Sequence, residues 1–179
     1  NFLYGRILIL STGYYSDRVK TMCESAKRKI KEIRNIEYCD WKQLNSIQGN
    51  YDWVIACSTE TSSGIKIPIQ DLSKLAKKVK AKLMLDATAS IGLENDHYLA
   101  DVISYSSCKG LFGLTGACFI SYNSDPTIKI DSFYLSIKTH LEKQMTGPYH
   151  SIESLAHVLP KHEEFKYSVE VNKLIFLKS

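Results

Sequence analysis

The chain has 179 residues, of which 44% are hydrophobic and 23% are charged, and its formal net charge is +4. These values suit one domain with a sizeable core, and they exclude a disordered or collagen-like chain. The basic residues are spread along the sequence, and the denser run between Lys74 and Lys82 is typical of a solvated helix face. We therefore expect no nucleic-acid partner.

The five cysteines and five histidines show no spacing typical of a zinc site or a disulfide framework. Cys57 and Cys118 lie in apolar runs, which predicts that both are small core residues. We interpret the histidines as surface groups, and these are His97, His140, His150, His157 and His162. We find no signal peptide and no apolar run of membrane-spanning length, so we expect a cytoplasmic protein without a metal or membrane partner.

In the first half of the chain, apolar runs alternate with segments of helical period, which is typical of βαβ units. The predicted strands cover residues 5–12, 36–41, 51–58 and 82–88. A helix is predicted from about Ser16 or Asp17, with a buried face formed by Val19, Met22, Ala26, Ile30 and Ile33. Pro68 suits the first turn of a second helix, whose apolar face consists of Ile69, Leu72, Leu75, Ala76 and Val79.

The second half begins with two further predicted strands, over residues 101–107 and 116–123. The loop between them is too short for a crossover helix, which predicts an antiparallel pair. Residues 146–179 are predicted to be mostly helical with a break at Pro160. We expect an α/β fold, a three-layer α/β/α sandwich with a mostly parallel sheet, in which residues 1–145 form the core and residues 146–179 a helical segment.

Polar side chains follow the predicted parallel strands, where an open α/β sheet binds its ligands. Asp86 and Lys109 stand at the carboxyl ends of two successive strands and are therefore predicted to lie on the same rim of the sheet. A salt bridge is one interpretation, since a carboxylate at a strand end needs a cation or a strong donor. The other is pyridoxal phosphate, whose aldehyde takes a lysine and whose pyridine nitrogen takes an acid.

Three motifs in order, ETSSGIKIPI, LMLDATASIG and SYSSCKGLFGLTGACFI, resemble the large domain of the class V, fold-type I aminotransferases. The likeness runs from about residue 7 to residue 146 and is greatest to the transaminases that act on 2-aminoethylphosphonate and pyruvate. The resemblance implies a pyridoxal 5'-phosphate enzyme. It implies transfer of an amino group from a small amine or amino acid to a keto acid such as pyruvate.

The resemblance also implies a role for each matching residue. It makes Lys109 the Schiff-base lysine and proton shuttle, and Asp86 the partner of the pyridinium nitrogen. It places Tyr15 against one face of the cofactor ring and Thr88 against the other. Without the resemblance, residue type favours Tyr15 as a loop aromatic that shields the end of the sheet over a ring-stacking role.

Three further hydroxyl residues match the family pattern. Ser62, with Thr61 as the neighbouring candidate, corresponds to a hydroxyl near the cofactor phenolic oxygen. Thr146 corresponds to a threonine that reaches the cofactor phosphate of the partner subunit, which implies a homodimer. Read from residue type alone, Thr61 and Ser62 could instead cap backbone groups in a turn, and Thr146 could cap a helix.

The resemblance implies two parts that we do not recognise in the sequence: a phosphate-binding turn before the first strand and a small C-terminal domain. We therefore expect a large domain that is truncated at both ends. Two alternatives stay open. One is another class V enzyme, a lyase or desulfurase, although those usually have histidines where Cys108 and Tyr15 stand. The other is a truncated, non-catalytic domain that acts in interaction.

Overall fold

The computed structural model describes residues 1–144 and 146–178. Over these residues the strands are β1 (Gly5–Ser11), β2 (Ile33–Asp40), β3 (Trp53–Cys57), β4 (Thr59–Glu60), β5 (Ile65–Lys66), β6 (Lys82–Asp86), β7 (Val102–Ser106) and β8 (Cys118–Tyr122). The α-helices are α1 (Tyr14–Lys27), α2 (Ile69–Lys78), α3 (Ile137–Lys143), α4 (Tyr149–Val158) and α5 (His162–Lys178). No helix in these two ranges is long and apolar enough to cross a membrane.

Six strands form one sheet in the order β2-β1-β3-β6-β7-β8. Neighbouring strands are parallel except for β8, which runs antiparallel to β7. The predicted antiparallel pair is thus confirmed. Strands β4 and β5 form a separate antiparallel ribbon that the sequence patterns did not predict.

The two faces of the sheet bury separate apolar clusters. Leu8 and Leu10 belong to the cluster that includes α2, whereas Ile7 and Ile9 belong to the cluster against which α1 packs. This alternation follows from the two-residue period of a strand. Every residue of β3 is buried, as expected for a central strand covered on both faces. The predicted three-layer sandwich is confirmed.

The prediction for the first helix was wrong at its end. Helix α1 ends at Lys27, and Ile33 is buried as the first residue of β2, beside Gly5 of β1. Cys23 lies on the buried side of α1, whereas Met22 is exposed. The apolar spacing misled because Ile33 continues the helical period by coincidence, although the sheet buries it.

The C-terminal part of the chain is largely helical, as predicted. Residues Leu159–Lys161 form a turn of 3₁₀ helix between α4 and α5, at the predicted break. Helix α3 was not predicted, although Ser136 marks its start by accepting a hydrogen bond from Thr139 N at 3.2 Å. The predicted domain boundary at residue 145 lies outside the described residues.

Candidate active site

A pocket of about 390 Å³ lies at the carboxyl ends of the parallel strands. Five of the predicted site residues line it: Tyr15, Thr61, Asp86, Thr88 and Lys109. They come together because parallel strands with right-handed connections present their following loops at one rim. Ser62 and Thr146 are not among the lining residues that the described ranges provide.

Lys109 begins a short 3₁₀ turn, Lys109–Leu111, directly after β7. Its backbone has a φ of +60°, which is uncommon outside glycine. The side chain is exposed, and its Nζ lies 5.2 Å from the centre of the Tyr15 ring. Among the described residues no salt bridge joins Lys109 to Asp86, so the salt-bridge interpretation is wrong for this structure.

Asp86 ends β6 and is held by its neighbours. Its Oδ1 accepts hydrogen bonds from Thr88 N at 3.0 Å and from Thr88 Oγ1 at 2.6 Å. Its Oδ2 lies 3.8 Å from Cys57 Sγ, the thiol at the matching position of β3. Burial and the nearby Asp86 charge raise the pKa of Cys57, so this thiol stays protonated and can donate. Thr88 therefore fixes one oxygen firmly, while the other keeps capacity for a further donor.

Tyr15 lies in the first turn of α1. The predicted start of this helix at Ser16 or Asp17 is corrected to Tyr14. Ser16 nevertheless stabilises the start, because its Oγ accepts hydrogen bonds from Thr12 N at 2.9 Å and Gly13 N at 3.0 Å. The half-buried Tyr15 ring is thereby held beside Lys109.

Thr61 and Ser62 follow β4 and have different surroundings. Thr61 lines the pocket. The Ser62 hydroxyl donates to Glu60 Oε1 at 2.6 Å and accepts from Tyr14 N at 3.0 Å. Ser62 thus links the Glu60 side chain to the first turn of α1. Thr146 is exposed between α3 and α4.

The prediction that Cys118 is a core residue was wrong, since Cys118 is exposed and lines the pocket. The cause is the direction of β8, which places the first residue of that strand opposite Ser106, the last residue of β7. Cys57 is buried, as predicted. Beside the lysine, the Ser106 hydroxyl lies 3.2 Å from Cys108 Sγ and, with weaker help from Thr115 and Lys109, lowers the pKa of that thiol.

Two histidines were wrongly interpreted as surface groups. His97 Nε2 lies 2.9 Å from the Oγ of the buried Ser90, and burial lowers the pKa of His97. His162, at the start of α5, donates from Nε2 to Gly110 O at 2.8 Å and packs against the Phe112 ring. Helix α5 therefore supports the turn that holds Lys109. His162 contacts residues that are distant in sequence, and a turn brings His97 to Ser90. The spacing of the histidines in the sequence therefore did not indicate these contacts.

The fold and the pocket define an α/β protein with a candidate site at the sheet rim, and the comparison with known proteins identifies its family. The profile of the aminotransferase class-V family matches residues 5–150, so the chain belongs to that family. Members of this family depend on pyridoxal phosphate. The resemblance that the three motifs indicated is confirmed.

The similar proteins described here are longer than this chain. The bifunctional phosphonoacetaldehyde hydrolase/aminoethylphosphonate transaminase of Clostridioides difficile is 25% identical over 180 residues, covering 89% of this chain and 28% of that protein. A 2-aminoethylphosphonate–pyruvate transaminase of Pseudomonas aeruginosa is 25% identical over 179 residues, covering 89% and 48%. The alanine–glyoxylate aminotransferase structure from a Nostoc species has a TM-score of 0.70 at 18% identity, covering 89% and 48%, which shows the shared fold. The chain spans about half of these relatives or less.

Proposed function

We propose that this protein is a pyridoxal-phosphate-dependent aminotransferase that moves an amino group from a small amine or amino acid to a keto acid such as pyruvate. One observation carries the proposal: an amine, a carboxylate and an aromatic ring, on Lys109, Asp86 and Tyr15, line one pocket at the sheet rim. The names of the curated relatives make 2-aminoethylphosphonate the first donor to test.

The pocket suits the cofactor in size and chemistry. Its volume of about 390 Å³ lies within the range of roughly 300–1,000 Å³ found for small-molecule sites. Within the described residues the Oδ2 atom of Asp86 has one weak donor, the Cys57 thiol, and it can accept from a protonated ring nitrogen. Lys109 has no ion pair within the described residues, so its amine is available to an aldehyde.

In the proposed reaction Lys109 would hold the cofactor through its aldehyde. The Lys109 amine would also move a proton between the substrate Cα and the cofactor C4′. Asp86 keeps the ring nitrogen protonated, and Thr88 holds Asp86 in place for that task. The bound cofactor supplies the electron sink for the amino transfer.

The walls of the pocket orient the ring. Tyr15 would pack against one face by dispersion and quadrupole contacts, and Thr88 would lie against the other. Thr61 or Ser62 is the proposed hydroxyl donor to the phenolic oxygen. Of these two, Thr61 is favoured because it lines the pocket, whereas the Ser62 hydroxyl is engaged with Glu60.

We further propose that the protein acts as a homodimer in which Thr146 reaches the phosphate of the partner's cofactor. The exposed position of Thr146 is compatible with such a contact. We propose a reducing, cytoplasmic location, which the five free cysteines support. Sedimentation of the cofactor-loaded protein tests the dimer, and a monomer at micromolar concentration would contradict it.

The decisive experiment is an absorption spectrum between about 300 and 500 nm with added pyridoxal phosphate, before and after borohydride reduction. A band that borohydride fixes to the peptide containing Lys109, and that Lys109→Ala lacks, supports the proposal. Lys74→Ala is the matched control, because Lys74 is an exposed lysine on α2 that pairs with Asp71. A band of equal strength in Lys109→Ala would refute the role of Lys109. Loss of that band on adding 2-aminoethylphosphonate, and its return with pyruvate, would identify the donor and acceptor.

A further inference from the structure

Glu60 lies beside the pocket and is completely buried. A buried carboxylate is costly unless strong donors or a cation surround it. Among the described residues no salt bridge involves Glu60. Its charge is instead balanced by hydrogen bonds from its own turn and from the segment that begins α1.

Five donors meet this carboxylate. Oε2 accepts from Ser16 N at 3.2 Å and from Thr12 Oγ1 at 3.3 Å. Oε1 accepts from Tyr15 N at 3.3 Å, and from Ser62 N at 3.3 Å and Ser62 Oγ at 2.6 Å. Two of the donors are amides of the first turn of α1, where the helix dipole also favours a negative charge. Burial alone would raise the pKa of Glu60, but these hydrogen bonds outweigh it and lower the pKa.

The contact between the two segments is close. A Cβ atom on Gly13 would lie 2.7 Å from Ser62 Oγ and 2.9 Å from Glu60 Cγ, so only glycine fits there without displacement. Glu60 thus joins the turn that presents Tyr15 to the turn that presents Thr61. Both residues line the pocket, on loops that follow different strands.

We infer that Glu60 is a positioning residue, which fixes the Tyr15 ring beside Lys109 so that the ring is already in place when the cofactor binds. This inference rests on the proposed function for its chemical consequence. The structural part of the inference, that Glu60 holds the first turn of α1, does not depend on the proposed function. Glu60 does not line the pocket in the described residues, so it acts through Tyr15.

The test is Glu60→Gln, which keeps the shape but puts an amide nitrogen opposite either Ser16 N–H or Tyr15 N–H. Pyridoxal phosphate is titrated into the parent, Glu60→Gln, Tyr15→Leu and the double variant. Each single change is expected to weaken binding roughly two- to tenfold, the value of one aromatic contact. If Glu60 acts through Tyr15, the double variant binds no more weakly than Tyr15→Leu alone. Losses that multiply, or a Glu60→Gln protein that binds like the parent, overturn the inference.

Glu94→Gln is the matched control. Glu94 is also largely buried. It accepts from Thr59 Oγ1 at 2.9 Å and pairs with Lys66 at 2.9 Å, but no hydrogen bond or ion pair joins it to α1 among the described residues. It is expected to bind the cofactor like the parent. If Glu60→Gln does not fold, Thr12→Val removes one donor to Oε2 and is expected to produce a smaller loss with the same coupling to Tyr15.

Hydrogen exchange of the cofactor-free protein separates this inference from the proposed function. The amides of Tyr15 and Ser16 are expected to exchange about tenfold faster in Glu60→Gln and at the parental rate in Glu94→Gln. If the parent binds no pyridoxal phosphate, the proposed function fails and exchange alone decides. Faster exchange then supports Glu60 as the residue that holds the first turn of α1, and unchanged exchange overturns it.

Discussion

Replacing Asp86 by asparagine tests the electrostatic centre of the proposed site. The substitution keeps the shape of the side chain and its acceptor oxygen, so Thr88 N and Thr88 Oγ1 can still donate to Oδ1. The second oxygen becomes an amide nitrogen. That nitrogen faces the position of a protonated ring nitrogen, where it offers a donor to a donor.

The expected loss follows from the hydrogen bond that disappears. A hydrogen bond to a charged group contributes about 1.5–3 kcal/mol, and each 1.4 kcal/mol changes affinity tenfold. Asp86→Asn should therefore weaken pyridoxal phosphate binding roughly 10- to 150-fold. The free energy of unfolding should fall by only about 1 kcal/mol, because the acceptor for Thr88 remains. Titration followed by absorbance measures the first quantity, and urea unfolding measures the second.

Asp101→Asn is the control for this experiment. Asp101 precedes β7 at the opposite rim of the sheet, where its Oδ2 accepts from Leu83 N at 2.8 Å. The same chemical change there should leave cofactor affinity unaltered. An Asp86→Asn protein that binds pyridoxal phosphate within about twofold of the parent would refute the role given to Asp86.

Further predictions concern the support of the site and its stability. Thr88→Val removes the 2.6 Å hydrogen bond to Asp86 and should weaken cofactor binding about two- to tenfold; unchanged affinity in the same titration would contradict it. Leu85→Ala, at a fully buried position of β6, should lower the free energy of unfolding by about 2–5 kcal/mol, and a loss below about 1 kcal/mol in urea would refute this. Since the folded-state pKa of Glu60 is below its ordinary value of 4.5, the stability it contributes is present above that pH and is lost as the pH falls further. The stability difference between parent and Glu60→Gln should thus be largest near neutral pH and shrink below pH 4.5, and a difference that grows on acidification would be the wrong sign.

The sequence predicted which residues line the pocket better than it predicted the hydrogen bonds that hold them. Strand polarity is enough to place Asp86 and Lys109 at one rim, because each follows a strand of the same parallel sheet. The hydrogen bonds of Glu60 join residues that are 44 to 48 positions apart in the chain, apart from those of Ser62. No periodicity encodes such pairs, since they depend on how closely two loops approach in the fold.

The wrong prediction for the end of α1 has a simple cause. Steps of three and four residues cannot distinguish a helix face from a helix followed by a strand, as the end of α1 and the burial of Ile33 show. The antiparallel direction of β8 was predicted correctly, yet its consequence for Cys118 was not. Once β8 runs against β7, its first residue must lie at the same rim as Lys109.

The turn that holds Lys109 is fixed by the protein itself. Lys109 and Phe112 both have a φ of +60°, a conformation that costs roughly 1–2 kcal/mol for each non-glycine residue. Gly113 N donates to Ser107 O at 2.9 Å, and His162 donates to Gly110 O at 2.8 Å, so contacts from the residue after β7 and from α5 offset that cost. Strain held by contacts outside the pocket is a form of preorganisation, because the amine is presented before any ligand arrives. The C-terminal helix is therefore part of the support of the proposed site, although none of its residues lines the pocket in the described ranges.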